Sequence, residues 1–454
     1  MTTPTVADWQ SPAMVRTSFQ RIDSFLPTAP ISRGDGAVAT WPVAPAPLAD
    51  LLVAPELGTV ADVVAATETD AWMVVHDGRV LAEEYVAPMT PATRHLLMSV
   101  SKSVVGVTAG ALVDRGLLDP ERQVTSYLPE LENSGYAGAT VRDVLDMRTG
   151  VRFSEDYLDP TSEVRRLDES VGWAPHVSGG PATLHAFLAT LVAERPHGGP
   201  FHYRSCETDV LGWICEAAGQ APLADLVSDL VWSRLGAEHD AFLCVDSEGS
   251  AMCDGGINTT LRDLARFGAT VLGAGVAPTG ERVVSQAWID DLFAGSPELV
   301  AAFAAGPEAA YLPGGHYRSQ LWVPPGGERA LCLGIHGQLV YVDRAARLVG
   351  VKLSSWPLPE DDARMSSTLR MFEAIGRLLA GASGLIVRRA VARPGCGACR
   401  AAASRRRPAG RRASPGTLRR RAAPGTSPAG SACRSRWPRP RDRRPRRPPS
   451  RAAR

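Results

Sequence analysis

Only two of the 49 basic residues are lysines, Lys102 and Lys352. A guanidinium stays protonated at any useful pH, whereas an ammonium placed in low polarity sheds its proton. A chain this rich in arginine is therefore expected to keep lysine where proton transfer needs it. Lys102 follows Ser99 by three residues. On a helix that spacing stacks both side chains on one face, with the ammonium about one turn from the hydroxyl. Ser99 would then stand at the helix start, where free N–H groups and the helix dipole favour a developing oxyanion. An amine beside a hydroxyl turns serine, a weak nucleophile, into an attacking one. The apolar Leu96-Leu97-Met98 and Val104-Val105 on either side are expected to desolvate the ammonium and lower its pKa. The same residues also fit a plain polar helix start with a lysine that snorkels to water. Lys352, near the end of an expected strand, suits that plainer description better.

A serine that forms an acyl-enzyme also needs a proton donor for the leaving group and a second N–H for the oxyanion. Tyr203-Arg204-Ser205 suits the first task. A tyrosine beside an ammonium can shuttle a proton, and Ser205 can hold the ammonium from its other side. Read alone, such a tyrosine is more often a buried ring with a satisfied hydroxyl. Gly334-Ile335-His336-Gly337-Gln338 suits the second task, since its glycines let backbone approach a substrate closely; alone, it is equally the start of a strand. No G-x-S-x-G, H-E-x-x-H or P-loop occurs, and His197 and His202 have no third convergent ligand to join them. Nothing calls for a cofactor or a metal.

Taken together and in this order, Ser99-Val100-Ser101-Lys102, Tyr203-Arg204-Ser205 and Ile335-His336-Gly337 resemble the three motifs of the serine β-lactamase and penicillin-binding-protein superfamily. The third departs from the usual Lys-Thr-Gly, and the second has Ser where many members have Asn. With Glu155-Asp156-Tyr157-Leu158-Asp159-Pro160 and Val351-Lys352-Leu353-Ser354-Ser355-Trp356-Pro357, these departures look like the branch that holds 6-aminohexanoate-dimer hydrolases, the nylon-oligomer amidases, and related carboxylesterases. The resemblance covers roughly residues 60–380. It implies that Ser99 attacks an amide or ester carbonyl, that Lys102 takes its proton, that Tyr203 relays a proton to the leaving amine, and that water releases the acid. Which of Lys102 and Tyr203 is the first base stays open. By the same resemblance the oxyanion lies between the N–H groups of Ser99 and Ile335. Tyr157 bonds the substrate amide. Asp168 and Trp173 line the cleft, the carboxylate meeting a substrate ammonium and the ring covering an aliphatic chain. Ser205, Asp254, His336 and Gly337 complete the substrate-binding set, with Asp254 at a position that tunes amidase activity.

The elements that must hold these residues can be read in outline. Ala71–His76 and Arg79–Tyr85 flank Asp77-Gly78, a type I′ hairpin signal. A closely packed helix is expected from Ser99 to Arg115, stopped by Gly116. Thr140 with Asp143, and Thr260 with Asp263, open two more helices as capping-box variants. Leu184, Phe187, Leu188, Leu191 and Val192 form one amphipathic stripe. Strands return at 320–323, 338–342 and 348–353, and a last helix is expected from Arg364 to Leu379, ending before Gly381. The fold class is α+β: an antiparallel sheet built from both ends of the chain, with flanking helices and a mainly helical insertion. Residues 1–60 form an N-terminal extension packed on the body, 61–383 the hydrolase domain, and 384–454 a disordered Arg/Pro/Ala-rich tail.

The 454 residues carry a formal charge of +1, which averages two unlike polymers. Beyond residue 387 lie 22 basic residues and one acid, leaving 27 basic residues and 47 acids before it. A body at −20 draws in cations, so amino-terminated amides or neutral esters are expected to enter more readily than anionic β-lactams. The expected partner is a small amide or ester; nucleic acid would bind only through the basic tail, and a homodimer is compatible with the sequence. No segment reaches the roughly 18 apolar residues needed to span a bilayer. The polar start MTTPTVADWQSP lacks the form of a signal peptide, so a cytoplasmic location is expected. Five body cysteines at irregular spacing suit reduced, buried thiols, and Cys396 with Cys399 lacks the second pair a zinc site needs.

Overall fold

A computed structural model describes residues 3–391, with side chains described as far as Gly381. The expectations for the basic tail, Cys396 and Cys399 included, lie outside the described residues. A seven-stranded antiparallel sheet is built from β1 (Thr69–His76), β2 (Arg79–Tyr85), β3 (His316–Arg318), β4 (Leu321–Val323), β5 (Arg329–Gly334), β6 (Gln338–Asp343) and β7 (Leu348–Ser354). Its order is β2-β1-β7-β6-β5-β4-β3, so the first hairpin and the C-terminal strands meet through β1 and β7, with Val351 opposite Met73. Asp77 and Gly78 both take positive φ, 48° and 68°, as the two central residues of a type I′ turn must.

The central strands are apolar on both faces because both are covered. Val340, Val342, Val349 and Val351 point into the larger core, which also holds Leu264 and Phe267 of helix Leu261–Leu272. Leu339, Tyr341, Leu348, Trp72 and Val74 point the other way, onto Met371, Phe372 and Ile375 of the closing helix. That helix runs Asp362–Val391, past Gly381, where the sequence suggested a stop. A mid-helix glycine costs only about 1 kcal/mol, too little to end a helix by itself.

In the chain, the helices that carry the site lie between the first hairpin and the C-terminal strands. Helix α1 (Val100–Asp114) is buried on every side from Val100 to Leu112, and Gly116 follows at φ 70°. Helix α2 is Glu163–Ser170 and α3 is Ser205–Gly219. Thr140 and Asp143 form a reciprocal capping box, and the Thr260 hydroxyl accepts the N–H of Asp263. The stripe from Leu184 is shorter than its periodicity suggests: the helix ends at Leu188. Residues 191–193 are drawn instead into extended pairing, with Gly135 and Arg152 donating to the Leu191 and Val192 carbonyls. Val192 is left exposed.

A second sheet pairs Thr28–Ile31 with Ala241–Cys244, then Ile257–Thr259, then His95–Leu96. It ties the first thirty residues to the strand that leads into Ser99. All five body cysteines are buried and unpaired. Among the described residues no helix is long and apolar enough to cross a membrane.

Candidate active site

Ser99 is the N-cap residue of α1, yet its hydroxyl makes no capping hydrogen bond. The side chain is thereby left for other work. Met98 immediately before it is held at φ 48°, a left-handed conformation uncommon for a long side chain, between Leu97, whose N–H bonds the Ile257 carbonyl, and Ser101, whose N–H bonds Met98 itself. The Lys102 ammonium donates to Ser99 Oγ at 3.1 Å, to Ser205 Oγ at 3.0 Å and to the Asp254 carbonyl at 2.7 Å. The three-residue spacing therefore places amine and hydroxyl on one helix face, and α3 closes the group from the far side with its first residue, Ser205. Lys102 is 1% exposed and Ser99 8%.

The electrostatics differ from the expectation drawn from the flanking sequence. Burial does act to lower the Lys102 pKa, but the Tyr203, Asp254, Glu155 and Asp209 groups around it together outweigh burial and hold the ammonium above the ordinary lysine value. These groups lie far off in the chain, so the apolar neighbours at 96–98 and 104–105 could not reveal them. Lys352 reverses the expectation in the other sense. It is fully buried, donates to Ser354 Oγ and to the Thr67 carbonyl at 3.2 Å, and lies 5.6 Å from the Trp356 ring centre. Burial pushes its pKa down to about 7. It does not snorkel, because β7 lies inside the sheet with both faces covered.

Tyr203 stacks on Trp322 at 5.3 Å, meets Tyr317 edge-on, and has the Lys102 ammonium 5.3 Å from its ring centre. Its N–H is held by Glu308 at 2.9 Å. Burial pushes the phenol up to about 12, against the pull of Lys102. Glu155, which spacing alone does not mark, lies at the centre of the group. It accepts from Ser205 Oγ at 2.5 Å, from the Ser205 N–H at 2.9 Å and from the Tyr157 hydroxyl at 2.6 Å. Burial holds its carboxyl above the usual range in spite of Lys102 and these bonds.

Asp168 is not an open carboxylate. Arg165, one turn earlier on α2, closes on it at 2.5 Å, and burial, partly opposed by that arginine, raises the acid to about 7. The i,i+3 spacing was the available signal. Trp173 is buried edge-on against Trp9 at 5.0 Å, and its carbonyl accepts the Trp9 indole N–H at 2.8 Å. A side chain on Gly255, next to Asp254, would stand 3.5 Å from the Trp173 ring.

The third motif lies where β5 ends. A Cβ on Gly334 would come within 2.6 Å of the Leu97 carbonyl and 3.2 Å of the Ser99 nitrogen, so the chain enters Ile335 directly beside Ser99. His336 is fully buried, at φ 59°. Its Nδ1 lies 2.7 Å from the Trp356 carbonyl, its ring meets Phe19 edge-on, and burial lowers its pKa to about 4. The ring thus serves the loop rather than lining open space. Gly337 sits at φ 89°, and a Cβ there would fall 2.3 Å from the Trp356 ring. Gly337→Ala is therefore expected to cost about 2–3 kcal/mol, measured by urea unfolding, and to lower turnover by shifting Ile335.

The beta-lactamase family profile matches residues 59–374. The chain belongs to the beta-lactamase family. A 6-aminohexanoate-dimer hydrolase from Paenarthrobacter ureafaciens is 43% identical over 361 residues, 79% of this chain and 89% of that one. A solved structure from Bacillus anthracis, assigned to the 6-aminohexanoate-dimer hydrolases, superposes with a TM-score of 0.76 at 25% identity, covering 83% of this chain and 99% of its own. A family VIII carboxylesterase structure, at 16% identity and a TM-score of 0.53, covers 71% of this chain and 98% of its own; that likeness is one of fold. This beta-lactamase-family chain is an α+β hydrolase, as its motif order implied.

Proposed function

We propose that this hydrolase cleaves linear amides of the 6-aminohexanoate-dimer type, and short carboxylic esters, through an acyl-enzyme on Ser99. The observation that carries the reading is the Lys102–Ser99 contact of 3.1 Å at the start of a buried helix whose N-cap hydroxyl is not spent on capping. In this mechanism Ser99 Oγ attacks the carbonyl as Lys102 and Tyr203 manage its proton. The oxyanion forms between the Ser99 and Ile335 N–H groups, and the leaving amine departs with a proton relayed by Tyr203. Water then releases the acid. Tyr157, Trp173, Ser205 and Asp254 shape the cleft around that centre, while His336 and Gly337 hold the loop that presents Ile335. The name of the 43%-identical relative supports the substrate class. Incubation with a slowly turned-over ester, followed by peptide mass spectrometry, tests the reading: the acyl group is expected on Ser99, and an adduct elsewhere overturns it.

Asp168 is the proposed partner of a substrate ammonium, which must displace Arg165 to reach it. Asp168→Asn is expected to lower kcat/KM for an amino-terminated amide about tenfold more than for a short neutral ester. Because the carboxyl ionises near pH 7, the wild-type preference for the amino-amide should grow from pH 6 to pH 8. Equal losses on both substrates would refute the role.

The Arg165–Asp168 pair favours a second reading, in which the same centre hydrolyses neutral esters of unrelated origin. A panel of short acyl esters, a linear aminohexanoate dimer and a cephalosporin separates the two by relative kcat/KM.

A further inference from the structure

Lys102 presents a difficulty for the chemistry just proposed. A protonated amine cannot accept the Ser99 proton, and its surroundings favour the ammonium. Tyr203 does not resolve this, since a neutral phenol is no base either. The structure holds a second route off the ammonium. Lys102 Nζ donates to Ser205 Oγ at 3.0 Å, and Ser205 Oγ donates onward to Glu155 Oε1 at 2.5 Å. The same carboxylate is steadied by the Ser205 N–H and the Tyr157 hydroxyl, so its orientation is fixed before any substrate arrives.

We propose that Glu155 is a positioning residue that takes the Lys102 proton through the Ser205 hydroxyl, leaving a neutral amine beside Ser99. The inference rests on the Ser99 acyl-enzyme reading above. The step balances without any added reactant. One N–H bond of Lys102 breaks as an O–H bond forms on Ser205, and the original Ser205 proton passes to Glu155. Ammonium and carboxylate become amine and carboxylic acid. Neutralising both groups relieves the burial penalty on each charge, which offsets part of the cost of drawing a proton from an amine whose surroundings favour the ammonium. The amine then takes the Ser99 proton as the Oγ–carbon bond forms, and that proton leaves with the amine or alcohol product. The Glu155 proton returns along the same chain when the site empties.

Other charged groups face this pair. Asp254 and Asp209 stand near Lys102, and Tyr203, Asp168 and Glu308 each sense Glu155. Asp254 is the rival acceptor, but it meets the ammonium through its backbone carbonyl at 2.7 Å, with its carboxylate only at 3.5 Å. Asp209 spends one oxygen on the Cys253 and Asp254 N–H groups.

The test is the shape of a pH profile. With an internal acceptor, the amine forms without losing a proton to solvent, so the rate of Ser99 acylation by p-nitrophenyl acetate should stay nearly level from about pH 6 to pH 8.5. In Glu155→Gln the proton must go to water, and the rate should climb about tenfold per pH unit over that range. Ser205→Ala cuts the chain at its middle and should show the same slope, which keeps the test open if either variant folds poorly; melting temperatures check this. A level profile in both variants overturns the relay, as does a slope confined to Asp254→Asn. Fluorophosphonate labelling of wild-type Ser99 separates the two failures: no labelling sinks the nucleophile, whereas labelling with parallel profiles sinks only the relay.

Discussion

Ser99→Ala is expected to lower kcat/KM for a p-nitrophenyl ester by about four orders of magnitude or more. Among the described residues the fold offers the reaction no substitute. Ser101 and Ser103 lie on the same helix, but Ser101 Oγ accepts the Ile257 N–H and Ser103 Oγ donates to the Gln320 carbonyl, which ties both to the packing of the helix. Ser205 is the serious rival because it too touches Lys102. It is, however, fully buried, and its hydrogen is committed to Glu155. Ser99 is 8% exposed, its hydroxyl caps nothing and accepts the Lys102 ammonium, and Gly334 packs against its nitrogen. What activity survives in the alanine variant should be that of an oriented water, without a burst and without a covalent adduct. A burst in that variant, or an adduct on Ser205, would move the nucleophile.

The part of this site that the sequence exposed is the part made by local geometry. Ser99 and Lys102 share a helix, so their spacing alone brings them together, and the hairpin at Asp77-Gly78 and the capping pairs at Thr140 and Thr260 are likewise decided within a few residues. Strand β5 is harder to read, since Arg329–Gly334 supplies Ala330, Leu331, Cys332 and Leu333 in one run with no alternation to mark it. It exists because it is buried between β4 and β6. Electrostatics were the least legible. The acids that set the state of Lys102 come from positions 155, 209 and 254, and only the folded chain shows that they converge. The same holds for Lys352, whose burial follows from a central strand, and for Glu155, whose role depends on Ser205 starting α3 opposite it. Arg165 is the counter-example: its pairing with Asp168 is a one-turn contact that spacing could have announced.

Lys102→Ala should impair both chemistry and folding, and the two losses should respond differently to pH. The rate of Ser99 acylation is expected to fall by about 10³–10⁴-fold, the range for removing a positioned proton acceptor. Stability should also fall, by up to about 3–5 kcal/mol, because the variant leaves buried acids without their cation. Burial already raises Glu155 and Asp209 above their ordinary values, and Lys102 pulls both back down. Without Lys102 they rise further. An acid whose folded pKa is raised binds its proton more tightly in the folded chain, so it subtracts stability as pH climbs past the unfolded value of about 4. The raised pKa of Lys102 itself works the opposite way: the stability it lends wild type is fully present below an unfolded pKa of about 10.5 and fades only as pH climbs towards its folded value. Between pH 5 and pH 8, therefore, wild type keeps that contribution while the variant loses ground, and the gap between their urea midpoints should widen. At the acid end of that range the variant should come closest to wild type in stability while remaining inactive. A gap that stays constant across that range would mean that Glu155 and Asp209 do not respond to the Lys102 charge.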